Sequence, residues 1–211
     1  MKVKKTIRIL LIILIIIIGL YPFSFLFTDA EEGFISMKKS IFTPGLLWYG
    51  AFYTHILLGG VALLIGWPQF LKKLRNKNIA LHRTLGKIYL MSIFFSSIAG
   101  FYMAVLANGG LIAKIGFSLM AIAWMFTTVK AYTTIRKRDV EQHQQWMIRS
   151  YALTLAGVTF RLWLPLLLFG FQLDFIIVYR IDAWVSWVLN LVVAELIIRK
   201  ALSRRLKMES V

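Results

Sequence analysis

The chain of 211 residues is 59% hydrophobic, has a mean hydropathy of +0.74 and carries 25 Lys and Arg against 9 Asp and Glu. Apolar runs of bilayer-crossing length recur along most of it, which excludes a soluble globular domain, because a spanning helix needs about 20 apolar residues. With no cysteine there are no disulfides, thiolate metal sites, iron–sulfur clusters or covalently attached haem; the basic excess sits in short segments between apolar runs, which argues for membrane orientation and against nucleic acid.

The first apolar segment is predicted at 7–27, within MKVKKTIRILLIILIIIIGLYPFSFLF. A basic lead before an apolar run resembles a signal peptide, but this run exceeds the ~7–15 residues of such a core and no A-x-A site follows. It reads as an uncleaved helix. An acidic connection follows, with Asp29, Glu31 and Glu32.

The second segment, 45–71, places His55, Gly59, Ala62, Gly66 and Gln69 on one face. His55 falls about 10 residues from the outer end, roughly 15 Å deep by helix rise. A basic connection leads to the third segment, 79–107, whose stripe is His82, Gly86, Tyr89, Ile93, Ser96, Gly100 and Met103. Asn108-Gly109-Gly110 predicts a tight turn, since glycine takes the positive φ such turns need. The fourth segment covers 111–134. A second basic connection opens the fifth, 140–170, with His143, Met147, Ser150, Thr154, Gly157 and Arg161 on one side. Residues 171–181 are expected along the outer interface, with Tyr179 and Trp184 in an aromatic belt. The last segment, 182–200, offers Asp182, Ser186 and Asn190 to the interior. Glu195 is expected to pair with Arg199 one turn on.

Small and polar stripes turn inward in lipid, because hydrocarbon supplies no hydrogen-bond partner. The sequence therefore predicts an all-α polytopic bundle of six transmembrane helices in one domain, 1–211, with a core at 45–170 and peripheral helices at 7–27 and 182–200. The two basic loops and both ends hold 20 of the 25 basic residues. That asymmetry predicts both termini inside, in a multi-pass cell-membrane protein of bacterial type that meets anionic headgroups on its cytoplasmic side.

The basic loops also resemble each other. LRNKNIALH at 74–82 and IRKRDVEQH at 135–143 share one pattern at an offset of 61 residues. Asn78 and Asp139 suit N-cap positions, and Gln142 completes a capping-box pattern with Asp139. The repeat predicts two helix hairpins related by an axis along the membrane normal, as in parallel-repeat membrane proteins. His82 and His143 then become equivalent residues.

THILLGGVALLIGWPQF, LHRTLGKIY and HQQWMIRSYALTLAGVTFRLWLP resemble a bacterial family of predicted membrane proteins, the domain of unknown function numbered 2306. The resemblance spans roughly 50–165 and marks His55, His82, Arg83, Gly86, Tyr89, His143, Trp146, Met147, Arg149 and Arg161. It implies a membrane location and no particular activity. A more distant likeness is to four-helix b-type cytochromes, on bundle layout and histidine placement alone.

Two functions suit these residues. In the first, a redox protein, His82 and His143 hold haem b by its iron, with His55 a third candidate for the cofactor. Gly59, Gly66 and Gly86 make room for the macrocycle, and Arg83, Lys87 and Arg149 meet its propionates. In the second, a transporter or binder, the helix starts at His82 and His143 take an anionic small molecule or lipid headgroup, with Arg161 deeper on the path. Arg161 then needs an acceptor, for which Asp182 and Asp174 are candidates. An assembly role with packing histidines is the plainer alternative. No phosphate loop, HExxH or GxSxG is present, so no enzyme activity beyond electron transfer is expected. A zinc site of all three histidines is disfavoured by the depth of His55.

Overall fold

A computed structural model describes residues 2–25, 27 and 45–209 and is all-helical there. Helix α1 spans Lys2–Ser24. Helix α2 spans Leu46–Gly66 and tightens into a 3₁₀ turn at Trp67–Phe70, where Pro68 lacks the N–H an α-helix requires. A short helix α3, Lys72–Lys77, lies within the first basic loop. Helices α4 (Ile79–Val105) and α5 (Gly110–Arg136) follow. The fifth segment is broken at Leu155 into α6 (Val140–Thr154) and α7 (Ala156–Pro165), and after Pro165 it widens into a π turn at Leu166–Gly170. Helix α8 runs Phe175–Glu209.

Five of these stretches are long and apolar enough to cross a membrane: 46–70, 79–105, 110–136, 140–170 and 175–204. The apolar part of α1, Ile9–Ser24, is shorter. The acidic connection with Asp29, Glu31 and Glu32, and Lys38 and Lys39, lies outside the described residues.

The expected caps are present. The side chains of Asn78 and Asp139 each accept a backbone N–H, from Leu81 and Gln142, both at 2.9 Å. The other half of the capping box is not formed, because the Asp139 N–H goes to the Thr134 carbonyl. Gly109 and Gly110 have φ of 87° and 72°, as the predicted turn requires.

One expectation fails at the opposite end. Residues 175–181 are helical and begin α8 instead of lying along the interface. Asp174 caps this helix, accepting the Ile176 N–H at 2.8 Å, and the apolar residues after it extend the buried face by two turns. Tyr179 is consequently buried among Phe117, Phe160 and Phe175, and the Trp184 indole donates to the Ile112 carbonyl at 3.2 Å. Both serve helix packing, where an aromatic belt was expected.

Helices α2, α4, α5 and α6 surround the interior, each packed on the next, with α6 touching α2 more lightly. Helix α8 covers α5, α6 and α7. Helix α1 covers α2 through a close approach, where a Cβ on Gly60 would lie 2.6 Å from the Gly19 carbonyl oxygen. Tyr89 on α4 and Ser150 on α6, partners at the repeat offset of 61, hydrogen-bond directly at 2.9 Å. Contact between repeat-related residues is what a two-fold relation between the hairpins would imply at its axis. The relation breaks near the far end. His55 fills the space beside Gly100 in the first hairpin, whereas the same offset gives Gly116 and Arg161 in the second. Gly116 instead admits Trp184 and the Ala183 carbonyl of α8.

Candidate functional site

The interior carries three polar layers. At the basic end stand His82 and His143, the first side chains of their inward stripes. The two imidazoles are within electrostatic reach of one another. His143 donates from Nδ1 to the Ala131 carbonyl on α5 at 2.7 Å, since a carbonyl can only accept. Its Nε2 is then an unprotonated Lewis base in the neutral ring. The Nδ1 of His82 is buried and has no hydrogen-bond partner among the described residues.

The middle layer is a hydroxyl cluster. Tyr89 Oη lies 2.9 Å from both Ser150 Oγ and Thr154 Oγ1. Thr128 Oγ1 lies 2.7 Å from Ser150 Oγ, and the Trp124 indole donates to Thr154 Oγ1 at 3.0 Å. Two arrangements of the four hydroxyl protons satisfy all three hydroxyl–hydroxyl contacts. In one, the donors run Thr128, Ser150, Tyr89, Thr154 and end on the Ser150 carbonyl at 3.0 Å. In the other they run Thr154, Tyr89, Ser150, Thr128 and end on the Trp124 carbonyl at 2.8 Å. Each hydroxyl donates once in either arrangement, so the layer stays fully satisfied in a low-dielectric interior.

The third layer holds His55. Its Nδ1 lies 2.9 Å from the Ser96 carbonyl, and Ser96 Oγ donates to the His55 carbonyl at 2.8 Å. The ring meets Trp124 edge-on at a centroid distance of 6.3 Å. A Cβ on Gly100 would stand 2.7 Å from Nδ1, so glycine there makes the room for the imidazole. Ser96 is about 14 residues farther along α4 than His82, roughly 20 Å by helix rise. The three histidines therefore do not converge, and among the described residues no cluster of three potential metal ligands occurs.

Two of the expected charge pairings are corrected. Arg161 donates to the Gly157 carbonyl at 2.8 Å and lies 5.6 Å from the Tyr21 ring centroid. It does not reach Asp182, whose carboxylate has no hydrogen-bond partner among the described residues, and Asp174 is spent on capping α8. One turn of helix supplies Arg161 with a nearer acceptor. Glu195 pairs with Arg149, at 2.5 Å and 3.0 Å to the two carboxylate oxygens, where Arg199 was expected. Contact between α6 and α8 brings these residues together across 46 positions, and a planar fork on a carboxylate is better geometry than a flexible pair along one helix. Arg149 also stacks 4.6 Å from the Trp146 ring. Because Glu195 is 40% exposed, Glu195→Gln is expected to cost at most about 1 kcal/mol, read as a small loss of thermal midpoint that shrinks in high salt.

Room for a flat macrocycle is narrower than the glycine stripe implied. A Cβ on Gly59 would meet Ser96 and Trp124, and one on Gly66 would meet Tyr151 and Tyr89. Those faces are filled by protein. At Gly86 the nearest atom to such a Cβ is Gln69 Oε1, at 3.8 Å. Of the three glycines, Gly86 is the least crowded. Arg83 and Lys87, on the first turns of α4, are exposed.

The residues of α5 that join this cluster, Trp124 through Thr154 and Thr128 through Ser150, carry no motif in the sequence. Their signal is the small and polar face of Ala121, Trp124, Thr128 and Ala131, which are all buried. It was weak because the flanking positions are apolar as well.

No curated protein and no solved structure matches the chain. A family described as "Predicted membrane protein (DUF2306)" matches residues 52–198, which take in α2 to α8 and every layer just described. An integral membrane protein with its interior built from those helices, the chain belongs to the DUF2306 family of predicted membrane proteins.

Proposed function

We propose that the protein is a redox protein of the cell membrane that binds haem b through His82 and His143. The observation that carries this reading is the hydrogen bond from His143 Nδ1 to the Ala131 carbonyl. A backbone acceptor on one ring nitrogen orients the imidazole and leaves the other nitrogen as a metal ligand, the usual arrangement around metal-bound histidine. An anion would need the opposite, an N–H donor, from that nitrogen. His82 adds a buried Nδ1 with no protein partner among the described residues. A haem held by two imidazoles supplies one-electron transfer. Arg83 and Lys87 have the charge that propionates call for, whereas Arg149 is already balanced by Glu195.

The test is spectroscopic. The full chain, expressed with ample haem and purified in detergent, should show a Soret band that shifts on dithionite reduction. His82→Ala and His143→Ala should each lose most of it. A colourless protein would overturn the reading. The exposed Arg83 and Lys87 favour a second reading, binding of an anionic small molecule or headgroup at the same mouth. A phosphate-dependent rise in thermal midpoint in the colourless protein would support it.

A further inference from the structure

Asp182 lies two turns into α8, on its buried face, and is 0% exposed. Neither of its carboxylate oxygens has a hydrogen-bond partner among the described residues. Its neighbour Ser186 donates to the Asp182 backbone carbonyl at 2.6 Å, not to the side chain. The charged groups on the surrounding helices are committed elsewhere. On α7, Arg161 is bonded to Gly157; on α6, Arg149 is bonded to Glu195. On α8 itself, Arg180 donates to the Gly109 carbonyl at 2.7 Å. On α5, Lys114 is half-buried and makes no hydrogen bond to either carboxylate oxygen of Asp182. The Tyr179 phenol, buried three positions earlier on the same helix, is neutral unless it ionises and then repels a carboxylate.

An ionised carboxylate so placed carries a desolvation cost of several kcal/mol that no partner offsets. Taking up a proton removes that cost. A metal cation is not an equivalent occupant, because it needs several oxygen ligands and among the described residues no cluster of three potential metal ligands occurs. We propose that Asp182 is a proton-binding site inside the membrane, held as the neutral acid at near-neutral pH. The proposal rests on burial and the lack of partners at α8, independently of the histidine pair at the other end.

Infrared spectroscopy of the full chain in phosphatidylcholine vesicles tests it at pH 6, about two units above the ordinary aspartate value of ~3.9. An ordinary aspartate would be roughly one per cent protonated there. The difference spectrum of wild type minus Asp182→Asn should contain the carbonyl stretch of a protonated carboxylic acid, and wild type minus Glu195→Gln should not. Carboxylate stretches in the Asp182→Asn difference would overturn the proposal. If that variant does not fold, 13C-aspartate labelling of a chain carrying Asp29→Asn, Asp139→Asn and Asp174→Asn serves instead, because Asp182 is then the one labelled carboxyl side chain and a shifted acid band reports it. No shifted acid band would overturn the proposal equally.

Discussion

Gly66→Ala is expected to destabilise the protein by about 2–3 kcal/mol, the upper part of the range for overpacking a filled interior. The added Cβ would lie 2.5 Å from Tyr151 Cε2 and 2.8 Å from Tyr89 Cε2. Neither ring can step aside cheaply. Tyr89 is 1% exposed and tied to Ser150 and Thr154, and the Tyr151 hydroxyl donates to the Leu63 carbonyl at 3.1 Å. Gly66→Val, with two more methyl groups, should prevent assembly of α2 on α4 and α6. Gly50→Ala on the same helix is the control. Nothing lies within 4 Å of that Cβ, so the change should be neutral or stabilising by roughly 0.5–1 kcal/mol. Thermal unfolding in detergent measures all three. Equal midpoints for Gly66→Ala and Gly50→Ala would show that the packing at Gly66 is looser than described.

Tyr89→Ala carries the other large effect, about 3–5 kcal/mol, because it removes a buried ring and leaves a cavity between α4 and α6. Tyr89→Phe separates the two contributions. It keeps the ring but removes the hydroxyl linking the Ser150 and Thr154 ends of the cluster. Thr154 can still donate to the Ser150 carbonyl and Ser150 to Thr128, so no proton is stranded. The cost should therefore be that of one hydrogen bond between membrane helices, about 0.6–1.7 kcal/mol. A loss with Tyr89→Phe as large as with Tyr89→Ala would mean the hydroxyl contacts are coupled far more strongly than their redundancy implies.

What the sequence made legible follows from where the information is local. Asn78, Asp139 and Gly109 act within a turn of the chain, and the caps and the turn appear as expected. The inward stripes also proved readable, because an apolar solvent sorts polar side chains strictly: Ser96, Ser150, Asp182 and Ser186 are all at most 1% exposed. The offset between the two basic loops pairs Tyr89 with Ser150, and the two hydroxyls lie 2.9 Å apart.

The failures are non-local. Which cation meets Glu195 depends on how α6 and α8 pack, which a helical wheel does not contain. Arg161 was assigned a carboxylate because a buried charge needs an acceptor; a backbone carbonyl one turn away meets that need with no sequence signature. The glycines of α2 were read as room for a ligand. Gly66 admits the rings of Tyr89 and Tyr151 instead, and glycine spacing alone does not distinguish a cofactor slot from close packing.

Low-temperature electron paramagnetic resonance of the ferric protein, purified with haem, tests the two-histidine centre most directly. Two axial imidazoles predict a low-spin signal that is largely lost in His82→Ala and, to the same extent, in His143→Ala, with any haem still bound turning high spin, while His55→Ala leaves it unchanged. A low-spin signal that survives either inner substitution, or a haem signal lost with His55 alone, would contradict it.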